Sequence, residues 1–463
     1  MIKIGFVGAV AIVICGAVAV LAPASAAVTP EEAAQLGNTL TGWGAEKAGN
    51  KDGTIPAYDP AKAITGPVGI YKPKDPRGGQ PWNDPYAAEK PLFSISKENV
   101  DKYADKLDQG TQVLLRTRPG YRVDVYPTHR SVSYPDWIVE NNKQCALSAK
   151  TVGGGEGVEG AHACTPFPIP KTGYEAMWNV QLSLFPPYFE GPAINSWLID
   201  QNGTRSLIST ERFEYERTYW DPALKSASDY VYRLWVAFTA PAAKVGETNL
   251  RFVPTRGDIK DSNSWAYTPG QRRVRLAPEF KYDTVAATFG GIFFYDEISG
   301  FDGRMDRFDF KLVGKQEMYT PYNNTQLTNT PPEKAFGAHY MNPDYVRWEL
   351  HRVWVVEATL KPGKRHAQSK KWFYIDEDSW NIALYDGIDQ AGQVMRQMQN
   401  MSYILQFPKP YYPLPTQIAV FYSLVAGTYA NENETYGLPG YIPVTKLPSS
   451  LFSPETMAAQ AVR

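Results

Sequence analysis

Net charge, cysteine, histidine and long apolar runs are all scarce in this chain. Its 47 lysines and arginines stand against 48 aspartates and glutamates, leaving a formal charge of -1 over 463 residues. Sequence-independent nucleic-acid binding needs a concentrated basic surface that displaces counterions from phosphates, so that class is excluded. The five histidines, His129, His162, His339, His351 and His366, are scattered, with no pair at metal-ligand spacing. There is no Gly-x-Ser-x-Gly elbow, no phosphate-cradling loop and no His-Glu-x-x-His. No catalytic residue, metal site or cofactor is therefore predicted, and the chain is not expected to be an enzyme. One apolar run exists, from Ile4 to Leu21, with Lys3 as the only charge before it and Ala24-Ser25-Ala26 after it. That is the pattern of a cleaved signal peptide over residues 1–26, and it predicts export to the periplasm with no later transmembrane segment.

Aromatic residues are what the chain has in excess: 12 Trp, 29 Tyr and 20 Phe, accompanied by 37 Pro and 37 Gly. This composition favours many strands joined by turns over a helical protein. Apolar and charged residues alternate from Tyr121 to Val125, and the same period of two recurs in Tyr230, Tyr232, Leu234, Val236 and Phe238 and in Phe308, Phe310 and Leu312. Pro269-Gly270, Gly314-Lys315 and Pro362-Gly363 read as turns, and consecutive strands with short connections must be antiparallel. Helix signals are few. Thr29, Pro30 and Glu32 make a capping box, a second helix starts at Ser96 and stops at Gly110, and Ser453-Pro454 opens a short last one. Between the first two, a Gly/Pro-rich stretch from Gly42 to about Trp82 reads as an extended arm. The predicted organisation is a signal peptide over 1–26, helices and arm over 27–119, and an antiparallel β domain over 120–463.

Cys15 leaves with the signal, so Cys145 and Cys164 remain, on either side of the glycine-rich segment Gly153 to Gly157. In an oxidising compartment the simplest outcome is one disulfide, worth roughly 3 kcal/mol by loop-closure entropy.

The strongest local pattern is Trp348 to Ala358, with Trp348, Leu350, Arg352, Trp354, Val356 and Ala358 on one face of a strand. An ordinary strand would pack that face under a helix. A large antiparallel sheet with few covering helices, however, has more apolar concave surface than they can fill. The sharper expectation is thus a hydrophobic cavity lined by Trp348, Leu350, Trp354 and Val356, with Tyr232, Leu234 and Val236. A lipid chain bound there would gain roughly 0.8 kcal/mol per buried methylene. Polar clusters at Asp124, Tyr126, His129 and Arg130, at Asp302, Asp306 and Asp309, and at Asp376-Glu377-Asp378 read as turns or ion pairs. Arg272-Arg273-Val274-Arg275 reads as a solvated strand face.

Seven segments carry a resemblance to a known family. They are Gly44 to Asn50 with Asp52-Gly53-Thr54-Ile55-Pro56; Lys90-Pro91-Leu92-Phe93; Asp124-Val125-Tyr126-Pro127-Thr128-His129-Arg130; Pro166 to Pro170 with Trp178-Asn179; Tyr267 to Arg275; Asp306 to Lys315; and Phe373 to Trp380. In that order they resemble the bacterial family called domain of unknown function 1329, itself similar to the outer-membrane lipoprotein-sorting proteins LolA and LolB. The resemblance implies a mainly β, α+β fold: a large curved antiparallel sheet, a half-barrel, with a few helices in its concave mouth. It also implies a periplasmic carrier of lipid or another hydrophobic molecule, partnered by an inner-membrane exporter of the resistance-nodulation-division type and an outer-membrane protein. No catalytic residues accompany it. Two alternatives remain open on the sequence: a hydrolase of lipid or glycan with His129 or His351 as base, and a glycan-binding module using Trp and Tyr as stacking platforms.

Overall fold

The computed structural model describes residues 28–64, 82–224, 228–406, 413–416, 418–438 and 440–460. The segment read as a signal peptide lies outside them. Two antiparallel meanders build one sheet. The first contains β1 (Tyr188–Ile199), β2 (Arg205–Glu216), β3 (Tyr230–Ala240), β4 (Thr248–Pro254), β5 (Asn263–Thr268) and β6 (Arg273–Leu276). The second contains β7 (Phe308–Pro321), β8 (Trp348–Leu360), β9 (Gln368–Asp376), β10 (Ile382–Asp389), β11 (Val394–Asn400), β12 (Ala419–Ser423) and β13 (Thr428–Glu434). In space the order runs from β7 to β13 and then from β1 to β6, so one pairing, β13 on β1, joins the two halves. Three short strands complete a 16-stranded sheet that is not closed into a barrel. One of them, Val123–Val125, meets β8 in parallel at Trp348, so the sheet is mixed there.

The two halves are covered differently. In the second, alternate side chains feed separate cores: Val356, Phe373, Ile375, Tyr385 and Phe421 enter one, while Val353, Val355, Tyr374, Leu384 and Val420 enter the other. Both faces are therefore buried, and the polar residues these strands carry, such as Glu349, Lys371, Asp386 and Arg396, are buried with them and need partners inside the protein. Helix α1 (Pro30–Ala33) carries the expected capping box. Leu114 and Leu115 of α2 (Gln109–Thr117) sit in the second of these cores, and Ile138 and Cys145 of α3 (Asp136–Ser148) in the first. So do Ala176, Met177 and Trp178 of α4 (Gly173–Gln181). Close approach of α4 depends on Gly173, where an added Cβ would lie 2.6 Å from the Phe310 backbone. No helix among the described residues is long and apolar enough to cross a membrane.

Several local expectations are corrected. Gly110 does not end a helix. It lies in the first turn of α2, which begins at the Asp108 cap, and the backbone N–H groups of Gln109 and Gly110 donate to the buried Asp386 carboxylate at 2.9 and 3.0 Å. A Cβ at Gly110 would overlap that carboxylate, so the glycine permits docking and not termination. Gly314 is no hairpin turn either: it marks a bulge inside β7, where the register with β8 shifts between Leu312 and Gly314. Asp124 belongs to a strand that is buried on both faces, not half wet, and its carboxylate accepts from Ser94 Oγ and Arg122.

Cys145 and Cys164 form a disulfide across the 19-residue separation. Replacing both with alanine is expected to cost about 3 kcal/mol, lowering the thermal midpoint by several degrees in a calorimetric scan.

Candidate ligand cavity and ionic cluster

The first meander buries one face against the shared core and leaves part of it unfilled. A cavity of about 220 Å³ lies there, lined by Phe189 of β1, Phe213 and Tyr215 of β2, Leu234, Val236 and Phe238 of β3, Leu250 and Arg251 of β4 and Ser264 of β5. Five adjacent strands span about 20 Å at normal spacing. All of them can meet one hollow of this size only because the sheet curls round it. The end of α4, through Val180 and Gln181, and the segment carrying Phe280, Phe289, Tyr295, Ile298 and Phe301 supply the rest of the wall. For scale, an apolar cavity of roughly 150 Å³ takes up benzene.

The seam also shapes this hollow. Between Asn431 and Glu434 the register on β1 slips by one residue, and Asn433 adopts a positive φ of 67°. An extra residue in one strand is a bulge, which turns side chains out of the ladder. Here Glu432 and Asn433 both reach the cavity. Glu432 is 5 % exposed and its Oε2 has no hydrogen-bond partner. Burial, reinforced by the nearby Glu211, pushes its carboxyl up to about 8. Glu211, which accepts a 2.6 Å bond from Ser209 Oγ, is pushed up to about 7 by burial, with Ser209, Lys244 and Ser196 opposing. Farther along the wall Arg251 pairs with Asp302 at 3.2 Å, and Tyr232 donates to the same carboxylate at 2.7 Å.

Of the residues expected to line a cavity, Tyr232, Leu234 and Val236 are in this wall. Trp348 and Leu350 instead sit in the core beneath α2, and Val356, with Trp354 against it, in the core beneath α4. The sequence reading did not find the aromatic segment 280–301, the bulge carboxyl Glu432, or Arg217 and Arg251. Arg251 shares its strand face with Asn249 and Val253, so no local pattern singles it out.

Four of the recognised segments meet at a second place, around the β9–β10 turn. Arg130 binds both oxygens of Asp378, at 2.9 and 2.7 Å, and donates to the Glu46 carbonyl of the arm. Arg352 donates to the Ala48 carbonyl at 3.0 Å, and Lys315 pairs with Glu377 at 2.7 Å. Trp380 Nε1 donates to the Trp43 carbonyl. The arm is thus laid over the β9–β10 turn and sealed by ions. His351, Asp376 and Asp378 come within 4.8 Å of one another there, a spacing that suits a cation. Each is already engaged: His351 Nε2 with Glu349, Asp376 with Ser379 and Tyr322, Asp378 with Arg130. Burial and the neighbouring Asp378 push the Asp376 carboxyl up to about 6. His129 stacks on Tyr86 and meets Glu89 at 2.7 Å. Asp302, Asp306 and Asp309 are not brought together, since each pairs with a different partner, Arg251, Lys364 and Lys361.

An open, strongly wound β-sheet enclosing an apolar hollow is the class that fold and site define. Residues 94–458 match the family described as protein of unknown function DUF1329, and the chain belongs to that family. It is 37% identical over 416 residues to the uncharacterized protein PA3922 of Pseudomonas aeruginosa, covering 87% of both chains. Among solved structures it is similar to a DUF1329 family protein from Desulfovibrio piger, at 14% identity and TM-score 0.43, over 62% of this chain and 97% of that one. It is also similar to a putative outer membrane lipoprotein-sorting protein domain from Vibrio parahaemolyticus, at 13% identity and TM-score 0.41, over 60% and 94%. A LolA superfamily protein from Nitrosomonas europaea matches at 11% identity and TM-score 0.35, over 61% and 98%.

Because Glu432 and Glu211 are neutral longer in the folded chain than in the unfolded one, their contribution favours folding at low pH and is lost as pH rises through about 7 and 8. Glu432→Gln is expected to raise the melting temperature at pH 9 by several degrees and to flatten its decline between pH 6 and 9. An unchanged pH slope in the variant would show that Glu432 is already ionised in the fold.

Proposed function

We propose that this protein is a periplasmic carrier that holds a lipid or other hydrophobic molecule in the cavity of the first meander without converting it. The observation that carries the reading is the unfilled hollow itself. Interiors normally pack to crystal density, and an apolar space larger than a benzene-sized cavity costs stability unless a guest occupies it. Leu234, Val236, Phe189, Phe213 and Phe238 give the guest an apolar lining. At roughly 0.8 kcal/mol per methylene, a 15-methylene acyl chain contributes about 12 kcal/mol gross, against an association cost of about 4 to 15 kcal/mol. Binding on that scale is reversible, as a carrier requires. Export to the periplasm follows from the pattern of residues 1–26, and an exporter of the resistance-nodulation-division type and an outer-membrane protein as partners follow from the family resemblance alone.

The alternatives have less behind them. His351 is 1 % exposed, closed in by Tyr322 at 3.8 Å between rings, and does not line the cavity. Among the exposed large hydrophobics of the described residues Tyr436 is the single aromatic and no tryptophan appears, which gives the glycan-stacking alternative little support.

Native mass spectrometry of protein purified without denaturant is expected to show an apolar adduct that organic extraction removes. Val236→Trp, which fills the hollow, is expected to cut that adduct about tenfold with the melting temperature nearly unchanged. Protein that emerges empty, and stays empty after incubation with a total lipid extract, would sink the carrier reading.

A further inference from the structure

Two guanidinium groups stand in the wall of this apolar hollow, Arg217 and Arg251, each 8 % exposed. Arg217 follows β2. Its Nη2 donates to the Gln181 carbonyl at the end of α4 at 2.5 Å, and its plane lies over Phe185, 5.2 Å from the ring centre. Its Nε has no acceptor, and no carboxylate among the described residues pairs with it. Among the described residues Arg251 has Asp302 as its one carboxylate partner, and its Nε is likewise without an acceptor. The two cations stand near each other across the sheet: Arg251 is in register with Leu234, Leu234 with Tyr215, and Arg217 lies two residues beyond Tyr215, while Asp302 pairs with Arg251 and accepts from Tyr232. Two positive charges thus face one aspartate, while the other carboxyls of the wall, Glu211 and Glu432, are held towards their neutral forms by burial.

A buried guanidinium without a counter-ion is costly, and a helix C-terminus compensates it only in part. A guanidinium also presents a planar fork of donors matched to a carboxylate or phosphate. We propose that the cavity takes an anionic amphiphile, whose apolar chain lies along Leu234, Val236 and Phe238 and whose oxyanion is bound by Arg217 and Arg251. The proposal rests on the carrier reading and sharpens it: one negative charge on the guest balances the excess cation. The head group is a carboxylate, as in a free fatty acid, or a phosphate, as in a phospholipid.

The test is a ligand series with one chain and different heads: dodecanoate, dodecyl phosphate, dodecanol and dodecyltrimethylammonium, titrated into the delipidated full-length protein below their micelle concentrations. Dodecanoate or dodecyl phosphate is expected to bind at least about tenfold tighter than dodecanol, and whichever anion binds tighter identifies the head group. The trimethylammonium compound is expected to bind weakest. Arg217→Gln is expected to bring anion and alcohol affinities within about twofold of each other while the alcohol affinity holds, and Arg217→Lys to keep most of the preference. Equal affinity for anion and alcohol in the unmodified protein overturns the anion proposal and leaves the carrier reading standing. Failure of every compound to bind overturns both. The unmodified protein alone decides the question if Arg217→Gln does not fold.

Discussion

Everything in this molecule is arranged around a single seam, the antiparallel pairing of β13 with β1. Each meander is assembled from neighbours in sequence, but the seam joins Tyr429 to Ile199 and Asn431 to Trp197, residues more than two hundred positions apart. Without it there would be two smaller sheets, each with a raw edge in the middle of the protein. The pairing is not smooth. Its bulge turns Glu432 and Asn433 out of the ladder, and what they turn into is the hollow. The join between the two meanders and the candidate binding site are therefore the same piece of structure seen from two sides.

The halves on either side of the seam do different jobs because they are covered differently. Side chains on both faces of the second half reach cores, one containing residues of α2, the other of α3 and α4, and its charged residues are locked into ion pairs under the N-terminal arm. Such a network adds more rigidity than net stability, since desolvating each ion offsets much of the attraction. The first half has the same kind of strands, but over its cavity face stand aromatic side chains from the 280–301 segment, with only the end of α4 beside them. Flat rings leaning over a curled sheet leave gaps that branched aliphatic side chains would have filled.

Much of this was legible in the sequence, and the failures have physical causes. The alternation from Tyr230 to Phe238 placed Leu234 and Val236 on one face, and the structure puts that face against the cavity. The same reasoning at Trp348 to Ala358 found a strand but could not tell a face that lines a hollow from one that packs against a neighbour. Both are apolar with a period of two, and only the covering elements distinguish them. The two cysteines and the capping box at Thr29 were readable because each depends on partners close in sequence. Gly110 misled because a glycine demanded by close docking looks the same as one that ends a helix. The bulge at Glu432 and the convergence of Arg217 with Arg251 left no local trace, since both arise from pairings made across the whole chain.

An open sheet must finish somewhere, and this one finishes on β6. Among the described residues no further strand pairs with its outer side, which is the geometry on which a second molecule would add itself. The residues there are Arg273, Val274, Arg275 and Leu276, mostly exposed, with Arg275 tied to Glu279. A newcomer lining up along that margin would have to bury guanidinium groups at every second position. The basic run at 272–275 thus raises the cost of extending the unclosed rim by another strand.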